Sequence, residues 1–229
     1  MRKKIKFINN NSLEKYRFKS LFTKEPETIF WIKNFKKNEV LIDVGSNVGI
    51  YSLFAGKKEI KTYSIEPFKK NYQSLKKNIK LNRLKNIIPL NYAISNFNGK
   101  AFFHNGGDNR FGATGGFLSK KKLSNTDKSI SVKTLDSLIK KFKIKNNFHV
   151  KIDIDVGLLN LLKGFKKSVK NTYLKSVLIE ADNREKTKVL KFFKPYMKVL
   201  KLEKTVKNHS TIRRKKKNSS IRNIVFLRK

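Results

Sequence analysis

An α/β fold built on a parallel sheet is what this sequence predicts, and three observations carry the prediction. Short apolar runs alternate with longer stretches patterned for helix. The first such run, Val40 to Val44, passes through Gly45-Ser46-Asn47-Val48-Gly49 into the helix-like Ile50 to Ala55, the order of buried strand, tight turn and helix. Polar or acidic residues stand where the runs end, at Asp43, Glu66, Asn91, Asp153, Asp155, Glu180 and Asp182. In a parallel sheet the ligand crevice lies beyond the carboxyl ends of the strands, so these ends form one row.

The elements follow in order. Residues 1 to 36 read as an N-terminal helical extension on a domain spanning 37–229, with one helix from Ser12 to Phe22 and a second after Pro26, whose ring suits a first helical turn. Trp31 is expected in the core. Ile60 to Ile65 is a second strand. Phe68 to Asn82 is an amphipathic helix with Tyr72, Leu75, Ile79 and Leu81 on its apolar side. Asn86 to Leu90 is a third strand, and such repeats imply right-handed parallel crossovers. Lys100 to Phe103 reads as a short edge or hairpin strand. His104 to Ser119 is a glycine-rich loop that either covers an acceptor pocket or lies passively on the surface, and Ser119 to Ser131 reads as exposed. Thr134 or Asp136 caps a helix through Ile139. Phe148 to Ile154 is a fourth strand, Leu158 to Lys163 a short helix with Gly164 as its cap, and Ser176 to Glu180 a fifth strand. Asp182 and Glu185 are spaced to open a helix that Pro195 stops. Two closing strands, Met197 to Glu203 and Ser220 to Leu227, flank the basic stretch Lys204 to Asn218.

Composition narrows the chemistry. A chain of 229 residues suffices for one substantial domain. It has no cysteine, which excludes a disulfide framework and a thiolate metal site. His104, His149 and His209 have no ligand spacing, so no metal is expected, and His149 falls at the wrong strand end for a site. No run of apolar residues is long enough to cross a membrane, and a cytoplasmic location is expected. The formal charge is +39, a field that attracts nucleic acid, anionic lipid or acidic glycans. Because lysine is spread everywhere, the charge also fits compositional drift in an A/T-rich genome. The turn after the first strand matches neither the six-residue nicotinamide fingerprint nor a P-loop.

Asp43-x-Gly45-x-Asn47-x-Gly49 followed by Ile65-Glu66-Pro67 resembles the cofactor-binding start of class I S-adenosylmethionine-dependent methyltransferases. The series continues through Asn78-Ile79-x-Leu81-Asn82, Asn91-x-Ala93-Ile94-Ser95, Val132-x-Thr134-Leu135-Asp136, His149 to Asp155, Leu162-Lys163-Gly164 and Asn223 to Phe226, and is similar to the FkbM-type methyltransferase family. The resemblance implies a Rossmann-like methyltransferase sheet, mostly parallel with an antiparallel C-terminal strand and helices on both faces. It implies S-adenosyl-L-methionine as cofactor. Gly45, Ser46, Asn47 and Gly49 would hold its methionine part, and Asp43 would order the turn or receive the ammonium. Glu66, beside Pro67, would accept the ribose hydroxyls, or else cap the helix from Phe68. Asn91 and Tyr92 would approach the adenine, with Ala93 leaving room for the ring.

Methyl transfer to an oxygen needs alignment and a base. Asp153 suits positioning and Asp155 the base, with His104 as a second base if its loop folds over the pocket. The resemblance implies an acceptor hydroxyl on a sugar, glycolipid or small metabolite, and the charge admits an anionic membrane surface as a partner. One departure stands out: the family has glycine after the second acidic residue and glutamate two residues later, where this chain has Val156 and Leu158. Valine tolerates a positive φ badly, so a reshaped turn is expected. Three other readings stay open: an RNA methyltransferase, a basic nucleic-acid-binding protein using Arg213-Arg214-Lys215-Lys216-Lys217, and a catalytically degenerate cofactor-binding domain. The sequence carries no signal of oligomeric state.

Overall fold

The computed structural model of the chain describes residues 4–200 and 221–229. Helices α1 (Ser12–Lys19) and α2 (Pro26–Lys33) precede β1 (Val40–Val44), α3 (Ile50–Lys57), β2 (Lys61–Ile65), α4 (Lys69–Leu81) and β3 (Ile87–Leu90). Short strands β4 (Ala93–Ile94), β5 (Gly99–His104), β6 (Phe117–Ser119) and β7 (Lys128–Lys133) come next. Then follow α5 (Leu135–Lys141), β8 (Phe148–Ile152), α6 (Leu158–Lys163), a 3₁₀ turn at Ser168–Lys170, β9 (Leu174–Asp182), α7 (Asn183–Phe193), β10 (Met197–Leu200) and β11 (Ile221–Arg228). The main sheet runs β10-β11-β9-β8-β1-β2-β3, parallel from β9 to β3 and antiparallel where β11 meets β9 and β10. The basic stretch from Lys204 to Asn218 lies outside the described residues.

All five residues of β1 are buried, and their alternation divides the core. Val40, Ile42 and Val44 join Phe148, Val150 and Ile152 against α5, α6 and α7. Leu41 faces the other way, with Trp31 and Ile32 of α2 and Ile50 and Ala55 of α3. That second face carries Asp43, Lys151 and Glu180 by the same alternation, so the charges of the sheet meet the N-terminal extension. Trp31 is 4% exposed and donates its indole N–H to Ser176. His149 is held between Glu39 and Ser176 beneath the Phe35 ring, at the amino end of β8 and away from the carboxyl ends of the strands.

Several local expectations are corrected. Leu81 is 41% exposed, whereas Asn71, Ser74 and Asn78 lie buried on α4 beside Leu75 and Ile79. The N-terminal segment satisfies most of that polar face, since Asn78 Oδ1 accepts from the Ile8 N–H, Asn82 grips both backbone groups of Lys6, and Ser74 donates to the Glu14 carboxylate, while Asn71 pairs with Gly112 and Ala113. The region from Ser119 to Ser131 is not all exposed, because β4, β7, β5 and β6 form a second sheet that buries Asp127 and Ile130. Thr134 caps α5, while Asp136 accepts from the Lys167 and Ser168 N–H groups. Gly164 has φ of −83°, so it is no left-handed cap; a Cβ there would stand 2.2 Å from the Ser95 carbonyl oxygen.

Asn78→Ala should lower unfolding free energy by about 2 kcal/mol, since it strands the Ile8 N–H and the Val48 carbonyl that Asn78 satisfies. Chemical denaturation with limited proteolysis checks this, and the first cleavage should fall in the N-terminal segment.

Candidate functional site

The turn after β1 is shaped by a close approach. Gly45 (φ +78°) accommodates the Asp153 carbonyl oxygen, which would lie 1.8 Å from any Cβ placed there. Gly49 (φ +91°) begins α3, and a Cβ on it would meet Leu75 at 2.4 Å. Between them Asn47 also takes a positive φ of 51°. Its N–H donates to Glu66 Oε2 (2.8 Å), and the Phe68 N–H donates to Glu66 Oε1 (2.8 Å). Glu66 therefore caps the chain before α4 and braces the turn as well. Each carboxylate oxygen keeps a second lone pair for a donor in the cavity. Burial first, then the Asp155 charge, push Glu66 up to about 7 against these two N–H donors. Its ordinary value is 4.5, so ionising it between those pH values costs the ligand-free fold stability, and a ligand that donates to it offsets that cost.

A cavity of about 290 Å³ opens over these strand ends. Gly45, Asn47, Glu66, Pro67, Tyr92 and Ala93 line it, as do Asp153 and Asp155. Five residues expected there do not. Asp43 is buried beneath the turn, on the same face as Lys151, where Ser52 Oγ donates to it at 2.6 Å, so it orders the turn from below and does not line the cavity. Ser46 and Gly49 face inward. Asn91 donates its amide to the Glu66 and Pro67 carbonyls. His104 also stays out, because Asp127 holds its Nδ1 at 2.8 Å.

The sequence did not disclose the apolar end, where Phe68 and Phe103 stack near Tyr92 and Ala93, nor the N-terminal wall of Leu13, Tyr16, Arg17 and Lys24. The glycine-rich loop covers the cavity and is fastened on several sides. Asn47 and Asn71 donate to the Ala113 carbonyl, Arg17 to that of Gly112, and the Gly115 N–H donates to Asp155 at 2.8 Å. Asp155 is thus a latch for this loop. The turn is reshaped as expected: Gly157, one place after Val156, takes the positive φ (+94°), and Leu158 is buried.

Deepest in the site is a charge cluster on one face of the sheet. Lys151 Nζ lies 2.8 Å from Asp153 Oδ2 and is 1% exposed. Burial opposes its charge, but Asp153, Asp43 and Glu25 hold its pKa above the ordinary range. Burial would raise Asp153, yet Lys151 and the neighbouring Glu180 carboxyl hold it below the ordinary carboxylate range. Glu180 is raised above the ordinary carboxylate range by burial and then by the Asp153 charge, so the two neighbouring carboxylates titrate as a pair. Carboxylate oxygens of Glu25, Asp153 and Glu180 lie within 4.8 Å of one another, a grouping the sequence hid because Glu25 belongs to the extension. Lys151 supplies positive charge there, and we assign these groups no metal-ligand role.

The site fits S-adenosylmethionine. The Gly45 and Asn47 backbone lines the cavity where its methionine part would lie, Glu66 has acceptor capacity for ribose hydroxyls, and the aromatic end suits adenine. Comparisons with known proteins agree. The model of the methyltransferase FkbM domain matches residues 43–205. Hexuronic acid methyltransferase AglP of Haloferax volcanii is 27% identical over 177 residues, 76% of this chain and 70% of that protein. A Streptococcus mutans protein solved with SAH is 12% identical, with a TM-score of 0.53 over 90% of this chain and 97% of that one. For the M. jannaschii tRNA m1G37 methyltransferase the values are 18% and 0.47, over 89% of this chain; the chain spans 48% of that structure.

Gly45→Ala should abolish cofactor binding and lower the melting temperature, because its Cβ would overlap the Asp153 carbonyl; calorimetry and thermal melts read both. Affinity for S-adenosylhomocysteine should fall as pH drops through about 7, where Glu66 takes up its proton, by up to about tenfold per pH unit. A flat profile in titrations across that range would remove Glu66 from the binding surface.

Proposed function

This chain belongs to the FkbM family of S-adenosylmethionine-dependent methyltransferases, and from that premise we propose that it methylates a hydroxyl oxygen of a sugar or glycan, including acidic ones. The carrying observation is the juxtaposition, within one cavity, of the Gly45 turn with Glu66 and of the carboxylates Asp153 and Glu180. Support for a saccharide acceptor comes from the similarity to a hexuronic acid methyltransferase. Arg17 and Lys24 on the cavity wall favour an acceptor that carries negative charge.

In this reading Glu66 orients the ribose, the Gly45 to Asn47 backbone holds the methionine part, and Phe68, Phe103 and Tyr92 enclose the adenine. The bound cofactor supplies an electrophilic methyl group on a positively charged sulfur. Asp153 fixes the reacting end through its contact with Gly45. From the glycine-rich loop, Asn105, Ala113, Thr114 and Gly116 line the cavity and exclude water above the reaction. A cytoplasmic site of action belongs to the same proposal, as does contact with an anionic membrane if the acceptor is a glycolipid. Among the described residues no helix is long and apolar enough to cross a membrane.

A second reading, an RNA acceptor, draws on the formal charge of +39. Salt separates the two: RNA affinity should fall steeply with ionic strength, and cofactor affinity should not.

Titration calorimetry with S-adenosylmethionine and S-adenosylhomocysteine should give micromolar binding, weakened at least about a hundredfold in Glu66→Ala, which loses hydrogen bonds to a charged group. A radiolabelled methyl-transfer assay on uronic-acid saccharides and on RNA transcripts then identifies the acceptor. Transfer to RNA alone would replace the saccharide reading; no cofactor binding at millimolar concentration would remove both.

A further inference from the structure

Nothing in the family resemblance identifies the base, and the geometry narrows it. Asp155 is engaged by the Gly115 N–H, Asp153 by Lys151, and His104 by Asp127 outside the cavity. Glu180 remains. It lines the cavity near the end of β9 with its carboxylate within 4.8 Å of that of Asp153, and β11 places Asn223 opposite it in the sheet.

Resting on the reading that the cavity takes S-adenosylmethionine, we propose that Asp153 and Glu180 hold one proton between them, release it to solvent when a positive sulfonium binds beside them, and so expose Glu180 as the base for the acceptor hydroxyl. The pair faces Lys151 from β8, Asp43 from β1, Tyr51 from α3, Glu25 and Lys24 from the segment before α2, and Asp155 across the cavity. Lys151 compensates roughly one negative charge. The second carboxylate therefore keeps its proton until more positive charge arrives. Asp153 adjoins the Gly45 turn, so the methionine part of a ligand must pass it. A unit charge about 5 Å away at an effective dielectric of about 20 lowers the pair's titration midpoint by about two pH units. That shift moves Glu180 towards its ionised form.

The step then balances. The acceptor O–H bond breaks with its proton going to Glu180, the O–C bond forms, and the C–S bond breaks with its electron pair going to sulfur. The product thioether is neutral, so Glu180 keeps the proton it has received and the resting pair is restored. The protein thus arms its base for the methyl donor and disarms it for the product.

Calorimetry in buffers of different protonation enthalpy tests this near neutral pH without an acceptor. Wild-type protein should release close to one more proton on binding S-adenosylmethionine than on binding S-adenosylhomocysteine; release from Glu66 is common to both and cancels. Glu180→Gln should keep cofactor affinity within a few-fold and lose the difference, whereas Glu180→Asp should retain it. Equal release for both ligands in the wild type overturns the proposal while leaving the methyltransferase reading intact. Failure of either ligand to bind overturns both. With an accepted saccharide, Glu180→Gln should lower kcat by at least about a hundredfold with little change in KM for the cofactor; an unchanged kcat removes the base role.

Discussion

The contact between Gly45 and the Asp153 carbonyl is the constraint on which the site depends. Strands β1 and β8 are parallel neighbours in register, so the turns leaving them emerge side by side. Only a residue without a Cβ lets those turns touch. The contact joins the end of the cavity that orients a cofactor to the end that holds the carboxylates. A wider separation would leave room for each function and no geometric relation between them.

The charge cluster follows from the same alternation. Val40, Ile42 and Val44 face the α5–α7 side, which turns Asp43 the other way; Lys151 and Glu180 share that orientation on their own strands. A buried ammonium would be costly alone. Asp43 and Asp153 make it tolerable, and Lys151 in turn permits acidic groups at the reactive end. The extension completes the balance with Glu25 and Lys24, so residues before β1 belong electrostatically to the site.

The main sheet was legible because hydrophobic runs and their terminal acids are local signals. So were Gly45, Asn47 and Glu66, whose spacing fixes a turn. The direction of a side chain from its strand was harder to read. Asp43 looked like a site residue because it ends an apolar run, but period-two alternation sends it under the turn. Asn91 and Asp155 carry suitable chemistry and commit it to the Glu66 carbonyl and the Gly115 N–H. Phe103, Arg17 and Glu25 enter from a second sheet and an extension whose docking no periodicity reveals. The stripe of Asn71, Ser74 and Asn78 had the spacing of a buried helical face, but its polarity disguised it.

The departure at Val156 and Leu158 is accommodated by moving, not removing, the turn. Gly157 provides the left-handed conformation, so Val156 needs no strained φ and stands 58% exposed at the cavity rim. Leu158 then joins the core beside Leu161 and Leu162 and anchors α6 by burial. A glutamate at that inward position would bring another charge into an apolar cluster, at a cost that burial alone makes prohibitive without a partner. The chain has its acidic groups elsewhere: Glu180 from β9 and Glu25 from the extension converge on Asp153. Acidic groups at this end of the cavity therefore come from other elements, while position 158 serves the core.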